Sequence, residues 1–353
     1  MISSPSRFWR FTIGYLNETM IQIVDYHIVG SEKWNSYVLH HENGTIFQTT
    51  FYLDCHSSVF NSEFFGFAAV IRGDIVGVVA GIILYNYIYP LSNLTRRAII
   101  EGGPIANDKC IEEQLIEAVT EYTKRRSIYT QYRNLWDTSP VRPAFERLGY
   151  QYEPHLDILH DLTLETECII KSISKNKRGN VHKSINKGTA FREAEESEWG
   201  ACIDLILGTY KRVGLPCQSR SYFFNAFKSL SGSVKVFVAD LKGIIIGTRV
   251  ELCFKDLVYD WYAGADDKYK SFYPNDVLPY YILLWGKENG YKTFDFGGAG
   301  RPDVPYGVRD HKMKFGGQLV EYGRFERVNH KLIYGIASKA IAWKKKVREK
   351  TDD

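Results

Sequence analysis

An internal repeat constrains the fold of this 353-residue chain more than any other feature of its sequence. Residues 67–77 (FAAVIRGDIVG) align with residues 237–247 (FVADLKGIIIG), with Phe, Ala, basic, Gly, Ile and Gly residues in register. Each segment has the pattern of a strand, a basic-Gly turn and a second strand. This is a β-hairpin in which Gly supplies the positive φ angle that the turn needs. The repeat therefore predicts two copies of one unit.

A second match, between residues 147–151 and residues 314–318, lies near the end of each copy. Between the two matches each copy carries an amphipathic helix followed by a strand. The helices are predicted at 111–126 and 276–289, and the strands at 128–132 and 292–296. Strands and helices in this order predict a mixed α/β sheet with a helix on its face.

Length agrees with two domains. We predict a first domain at residues 1–163, a second at 164–329 and a basic C-terminal helix at 330–353. Residues 75–95 carry no charge and are long enough to span a bilayer. Their counterpart in the second copy contains Arg249 and Glu251, so we interpret both segments as buried strands.

Composition indicates a globular protein with a formal net charge of +4, which permits an anionic partner without requiring one. The six cysteines show no C-x-x-C spacing, and no metal-ligand cluster or Ser/His/Asp arrangement stands out. No signal peptide is visible in the first twenty residues. We therefore expect a cytoplasmic protein with no metal.

The second half resembles the Fem-type (FemAB-like) branch of the GNAT superfamily, which comprises peptidoglycan-bridge aminoacyltransferases and acyltransferase relatives. The matching stretches are residues 174–188 (SKNKRGNVHKSINKG), 259–264 (YDWYAG), 274–285, 289–298 (NGYKTFDFGG) and 312–317 (KMKFGG), with 34–41 and 45–49 in the first half. The resemblance covers nearly the whole chain. It implies a tandem duplication of a GNAT-like mixed-sheet domain in an α/β protein.

That resemblance also implies a function: transfer of an acyl or aminoacyl group to an amine of a cell-envelope precursor, forming an amide bond. The acceptor would be an amine-bearing peptide or sugar. No cofactor would be tightly bound, because the acyl donor, aminoacyl-tRNA or acyl-CoA, is a co-substrate. The alternative is an inert duplicated module that binds cell-wall or glycan ligands.

Two departures from the family leave the donor open. The sequence lacks the sustained heptads of the coiled-coil arm that several peptidoglycan-directed members carry. The loop 264–276 has one Gly and three Asp where acetyl-CoA-dependent relatives have a glycine-rich, pyrophosphate-binding loop.

In a GNAT-type sheet two neighbouring parallel strands splay apart, which here would be residues 257–263 and 292–296. Asp260, Tyr262 and Lys314 are the candidate catalytic residues. The candidate substrate-binding residues are Arg249, Trp261, Asn275, Asp295, Lys312 and Gln48.

Several of these residues have an ordinary structural alternative. Asp260 either handles the amine proton or pairs with Arg249. Asp295 is either a second base or a cap for the Gly turn that follows it. Alternation along the strand places Asp260 and Tyr262 on one face and Trp261 on the other.

Two further segments suggest partners. The basic run 171–187 is either a solvated helix face or a surface for a polyanion such as tRNA; no DNA binding is indicated. The helix at 330–350 combines an apolar stripe with Trp343 and a Lys cluster, and either packs on its own domain or contacts the inner membrane face peripherally.

We expect the first copy to shape the acceptor side and the second to hold the donor, with the groove between them.

Overall fold

The structure, a computed structural model, describes residues 10–16, 19–57, 61–85, 94–337 and 339. Its strands are β1 (Arg10–Leu16), β2 (Thr19–Asp25), β3 (Ser62–Ile71), β4 (Asp74–Leu84), β5 (Arg97–Glu101), β6 (Ile105–Ala106), β7 (Tyr129–Arg133), β8 (Gln151–Glu153), β9 (Leu156–Asp161), β10 (Thr189–Glu193), β11 (Val234–Leu241), β12 (Ile244–Phe254), β13 (Leu257–Ala265), β14 (Thr293–Asp295), β15 (Gln318–Glu321) and β16 (Arg324–Val328).

Its α-helices are α1 (Tyr26–Val29), α2 (Ser31–His40), α3 (Thr50–Ser57), α4 (Lys109–Thr123), α5 (Arg142–Arg147), α6 (Thr166–Ser172), α7 (Lys175–Asn186), α8 (Trp199–Val213), α9 (Arg220–Ser229), α10 (Pro274–Glu288) and α11 (Gly307–Met313). Short 3-10 turns include Ile46–Gln48 and Asp267–Phe272.

The chain forms two compact units. Unit 1 comprises residues 1–153 and 322–353, and unit 2 comprises residues 154–321. The sheet of unit 1 has the order β1-β2-β3-β4-β5-β7-β16-β8, with β6 beside β4, and that of unit 2 has the order β10-β11-β12-β13-β14-β9-β15. Among the described strands, each sheet contains one parallel pair, β5–β7 or β13–β14. The duplicated mixed α/β sheet expected from the sequence is confirmed.

The repeat has the predicted structure in both units. The hairpins are β3–β4 and β11–β12, and in each the turn residues have positive φ angles: Arg72 and Gly73 in unit 1, Lys242 and Gly243 in unit 2. The predicted helices are α4 and α10, and the strands that follow are β7 and β14. Local patterning was sufficient here because the hairpin turn and the helix faces are encoded within short windows.

The unit boundaries differ from the predicted division at residues 163/164 and 329/330. Strand β9, which ends the first copy in sequence, pairs with β14 and β15 in unit 2. Strand β16, which follows unit 2 in sequence, lies between β7 and β8 in unit 1. Each sheet is therefore completed by the strand that ends the other copy, which places the crossings at residues 153/154 and 321/322.

Each unit has its own apolar core. In unit 1, α4 packs on the sheet through Leu115 and Ile116 against residues such as Phe67, and all three are fully or almost fully buried. In unit 2, α10 packs against β11, β12 and β13, and its Leu278 and Ile282 belong to the buried core.

The segment that resembled a membrane span is accounted for in part by β4, which is a largely buried strand. Residues 86–93 of that segment lie outside the described residues. Within the part of the chain that the structure describes, no helix is both long and apolar enough to cross a bilayer. Residues 331–337 are helical, with Leu332 86% and Ile336 71% exposed, and the rest of the predicted C-terminal helix, apart from residue 339, is likewise outside the described residues.

Candidate acyl-transfer site

The parallel strand pair distinguishes the two units. In unit 1 all five residues of β5 pair with β7. In unit 2 only Leu257, Val258 and Tyr259 of β13 pair with β14, although β13 continues to Ala265. The strand that would continue the pairing turns away: Phe296 N donates to Ile158 O of β9 (2.9 Å), and Ala299 N donates to Leu156 O (2.7 Å). Residues 260–264 thus continue β13 beyond its pairing with β14 and form what we call the open edge, which agrees with the splay expected for the second copy. At its end, Ala265 N donates to Thr209 Oγ1 of α8 at 3.1 Å.

The open edge is shaped at both ends by glycine. At Gly264 a Cβ atom would lie 2.5 Å from the backbone of Leu205 and Ile206, so only glycine lets α8 approach β13 this closely. At Gly297, which has a positive φ of 67°, a Cβ atom would lie 3.2 Å from the phenol oxygen of Tyr259. The edge is therefore bounded by α8 on one side and by the turn after β14 on the other.

A buried ion pair lies at the open edge. Arg249 Nη1 of β12 donates to Asp260 Oδ2 of β13, and both side chains are only 7% exposed. Asp260 is thus paired with Arg249 through Oδ2, as one alternative proposed, and its role toward the amine proton stays a prediction. Because removing one member of such a pair would leave a buried charge without a partner, the two residues depend on each other.

Glu251 lies beside this pair. It shares a face of β12 with Arg249 and pairs in register with Asp260. Its side chain is fully buried, and neither carboxyl oxygen has a hydrogen-bond partner within the described residues. Burial, reinforced by Asp260, raises the pKa of Glu251 well above its usual value, and Arg249 and Lys312 oppose this shift only in part.

Lys312, at the end of α11, points into the same region. Its Nζ donates to the carbonyl oxygens of Phe296 (2.5 Å), Gly298 (3.2 Å) and Gly297 (3.4 Å). Burial lowers the pKa of Lys312, while the carboxylates of Asp260 and Asp157 act in the opposite direction. A lysine held in this way can act as a proton donor or as a cation beside the open edge.

Asp295, at the end of β14, is a cap. Its Oδ1 accepts from Gly297 N at 2.7 Å, as one of the two sequence alternatives proposed. Its carboxyl group also hydrogen bonds with that of Asp157 on β9. Burial and this neighbouring carboxyl group raise the pKa of Asp295 well above its usual value. Two hydrogen-bonded carboxyl groups must share a proton, so this pair carries about one negative charge.

The aromatic residues of β13 do not follow the predicted alternation. The register shifts between Val250↔Tyr262 and Glu251↔Asp260, so Trp261 is the extra residue of a β-bulge. As a result Trp261 and Tyr262 both contact Phe223 of α9, with ring centroids 6.5 and 4.7 Å away. The prediction that Trp261 takes the opposite face from Tyr262 was wrong because alternation assumes a regular strand.

Three other predicted site residues lie elsewhere. Lys314 is exposed, and its carbonyl accepts from Ser174 N at 2.8 Å. Asn275 is exposed at the start of α10. Gln48 is buried in unit 1, where its Oε1 accepts from Thr45 N at 2.9 Å in a capping box. The substrate-binding roles of Asn275 and Gln48 stay predictions. The catalytic role predicted for Lys314 is untested, and its exposed side chain leads us to favour Lys312 instead.

The structure adds a group that sequence reasoning missed. Lys177 of the basic run is buried, forms an ion pair with Asp276 of α10, and lies 3.2 Å from His311 Nδ1. Asn180 Nδ2 also donates to Asp276 (2.7 Å). Burial and the Lys177 charge lower the pKa of His311 to about 4. The group joins α7, α10 and α11, and His311 directly precedes Lys312.

The start of α10 is already satisfied by the protein. Pro274 has no N–H group, and the N–H groups of Asp276 and Val277 donate to Tyr273 O at 2.9 and 3.0 Å. The preceding loop is held against α7 through the bonds of Ser184 Oγ to Phe272 O and of Lys187 Nζ to Ser271 O. These contacts leave few backbone donors for a pyrophosphate group at this helix end.

Comparison with known proteins agrees with this architecture. The family described as "Acetyltransferase (GNAT) domain" matches residues 175–313. The chain is 21% identical, over 65% of its length and 76% of the relative's, to "Lipid II:glycine glycyltransferase" of Staphylococcus haemolyticus (strain JCSC1435).

Among solved structures, FemX covers 87% of this chain and 98% of its own, with a TM-score of 0.68 and 15% identity. A tandem GNAT protein from the clavulanic acid biosynthesis pathway covers 88% of this chain and 98% of its own, with a TM-score of 0.54 and 9% identity. At these identities, the two structural similarities indicate a shared fold and nothing more.

Fold, open strand edge and sequence match together define a GNAT-type N-acyltransferase in which the domain is duplicated. Within that class, the match over residues 175–313 and the similarity to the staphylococcal transferase and to FemX support a Fem-type branch.

Proposed function

We propose that this protein is an aminoacyltransferase that moves an aminoacyl group from an ester donor to an amine of a peptidoglycan precursor, forming an amide bond. The observation that carries the proposal is the open edge of β13 in unit 2, with Lys312 and the Arg249–Asp260 pair beside it. In the described residues of unit 1 the corresponding strand β5 is paired with β7 along its whole length.

The geometry suits the steps of acyl transfer. The amine nitrogen attacks the acyl carbonyl carbon and loses a proton, the ester C–O bond breaks, and the leaving oxygen gains a proton. Backbone N–H groups along the open edge can stabilise the oxyanion that forms. We assign Asp260 to hold the acceptor ammonium and take its proton, and Lys312 to neutralise the developing negative charge.

An aminoacyl ester suits the site better than acyl-CoA. The helix end that would hold a CoA pyrophosphate has its first N–H groups bonded internally, and Asp266 and Asp267 precede it. The adjoining α7 instead presents exposed Lys175, Lys183 and Lys187, which suit a phosphate backbone. The donor would then be an aminoacyl-tRNA acting as a co-substrate, with no cofactor tightly bound.

For the acceptor, the name of the staphylococcal relative supports a peptidoglycan precursor carrying an amine. Unit 1 has a surface cavity of about 790 Å³ lined by residues of α2, including Lys33 and Tyr37, and by Asp74. We assign this unit to the acceptor side, because the charged lining of the cavity suits a ligand that carries both phosphate and ammonium groups. Peripheral membrane contact through the C-terminal helix would bring a lipid-linked acceptor within reach.

The test is reconstitution followed by mass spectrometry. Purified protein is incubated with a nucleotide- or lipid-linked muropeptide and with either a mixed pool of aminoacyl-tRNAs or acetyl-CoA. The proposal predicts a product heavier by one amino-acid residue with the tRNA pool only. An acetylated product would reverse the donor assignment. No product with either donor, together with retained muropeptide binding, would favour an inert binding module.

A further inference from the structure

We propose that Glu251 stays protonated in the folded protein and acts as a positioning residue. Because it carries no charge, Arg249 remains paired with Asp260. The inference deepens the proposed function, because it concerns the same open edge, but its first two tests require no substrate. It starts from an unusual arrangement: a fully buried carboxyl group whose two oxygens have no hydrogen-bond partner within the described residues.

The charged groups around Glu251 explain why a proton is retained. Asp260 pairs with it in register on β13, and two facing carboxylates repel. Lys235, opposite on β11, turns its Nζ to Glu193 (3.0 Å). Lys312 donates to backbone carbonyls. Arg249, on the same face of β12, donates a hydrogen bond from Nη1 to Asp260. Each of these three neighbouring cations therefore already has another partner.

Charge balance within unit 2 leads to the same result. Arg249 and Lys312 supply two positive charges, Asp260 supplies one negative charge, and the proton-sharing pair of Asp157 and Asp295 supplies about one more. A neutral Glu251 leaves this buried group close to electrically neutral. An ionised Glu251 would add a buried charge without compensation. The raised pKa of Glu251 has the same cause.

The proton has a consequence for the site. The Nε atom of Arg249 is buried and has no hydrogen-bond partner within the described residues. If Glu251 ionised, its carboxylate would compete with Asp260 for this guanidinium group and draw it away from the open edge. Protonation of Glu251 therefore keeps Asp260 in the position that the acceptor amine requires.

The first test compares unfolding of the wild type and Glu251→Gln between about pH 5 and 8. A carboxyl group that is protonated only in the folded state releases its proton on unfolding. Unfolding therefore becomes more favourable as pH rises. The unfolding constant of the wild type should thus rise relative to the variant by up to about tenfold per pH unit. The exposed Glu288→Gln variant is the matched control and should follow the wild type. If the ratio of the wild-type unfolding constant to that of Glu251→Gln did not change with pH, Glu251 would be ionised in the folded protein. That result would overturn the inference.

Infrared spectroscopy in D₂O gives a second readout on the folded protein. The carbonyl band of a protonated carboxylic acid should be present in the wild type at neutral pH and reduced in Glu251→Gln. An unchanged band in the variant would contradict the inference.

The third readout is the pH profile of amide formation. Glu251→Gln should keep the rate at neutral pH within about twofold, because the amide resembles the neutral acid, and should extend activity to higher pH. A rate that falls at neutral pH with an unchanged alkaline limb would contradict the positioning role. If the wild type makes no amide at all, the proposed function fails, whereas unfolding and infrared still decide the state of Glu251.

Discussion

Arg249 of β12 and Asp260 of β13 form an ion pair in which each side chain is only 7% exposed, at the point where β13 loses its pairing with β14. The pair joins two adjacent strands next to the open edge. It can therefore fix the position of Asp260 where β13 continues beyond its pairing with β14.

Asp260→Asn should lower the free energy of unfolding by about 3 kcal/mol, because it leaves the buried guanidinium without its charged partner. Urea unfolding at neutral pH measures the change. The matched control is Asp256→Asn, which breaks the exposed pair with Lys292 and should cost less than about 1 kcal/mol. Equal losses in the two variants would show that the Arg249–Asp260 pair is as well solvated as a surface pair.

Gly264→Ala should destabilise unit 2 by more than about 2 kcal/mol, because the new Cβ would lie 2.5 Å from the backbone of α8. Thermal unfolding measures the effect. Gly208→Ala, on α8 where a Cβ meets no atom within 4 Å, is the control and should be neutral or stabilising. Equal changes in thermal stability in the two variants would show that α8 does not pack closely against β13 at Gly264.

His311→Gln should make the protein less sensitive to acid. The pKa of His311 falls from its usual 6.5 to about 4 in the folded protein. The stability that depends on neutral His311 is therefore fully present above pH 6.5. It is lost as pH falls from about 6.5 toward 4, because the unfolded state binds the proton first. Unfolding at pH 7 and pH 5 should show a smaller loss in His311→Gln than in the wild type.

The control for this variant is the exposed His182→Gln on α7. It should lose stability between the two pH values as the wild type does. A loss in His311→Gln as large as that of the wild type would mean that His311 is not buried in its neutral form.

The exposed lysines of α7 should contribute to RNA affinity if the donor is an aminoacyl-tRNA. Changing Lys175, Lys183 and Lys187 to Glu should weaken binding of an acceptor-stem hairpin. It should also reduce the slope of log affinity against log salt by about 2 to 3. The charge-matched control changes the exposed Lys109, Lys228 and Lys331 to Glu. Equal weakening in both triple variants would point to net charge rather than to this helix face.

The sequence was informative where the determinants are local. The hairpin turns at Arg72–Gly73 and Lys242–Gly243, the two helices and the Asp295 cap are each encoded within a few residues. The exchange of β9 and β16 was not predictable in the same way. Strand partners distant in sequence leave no periodic signal, and the copy boundary was placed by composition alone.

The site was predicted in part. Arg249 and Asp260 were both identified, but the bulge at Trp261 was missed because period-2 alternation contains no information about an inserted residue. Glu251 was noticed only as a charge that argues against a membrane span. The signal was available: Arg249 and Glu251 alternate within an otherwise apolar strand, which places two charged groups on one buried face.

Two lysines near the end of unit 2, Lys312 and Lys314, differ in their position relative to the open edge. Lys312 donates to carbonyl groups beside the open edge, whereas Lys314 is exposed. The measurement is the initial rate of amide formation from aminoacyl-tRNA and a muropeptide amine, for the wild type, Lys312→Ala and Lys314→Ala, with circular dichroism confirming that each variant is folded. We expect Lys312→Ala to lower the rate by about 100-fold or more and Lys314→Ala to change it by less than about threefold. A folded Lys312→Ala variant with the wild-type rate would contradict the placement of acyl transfer at this edge.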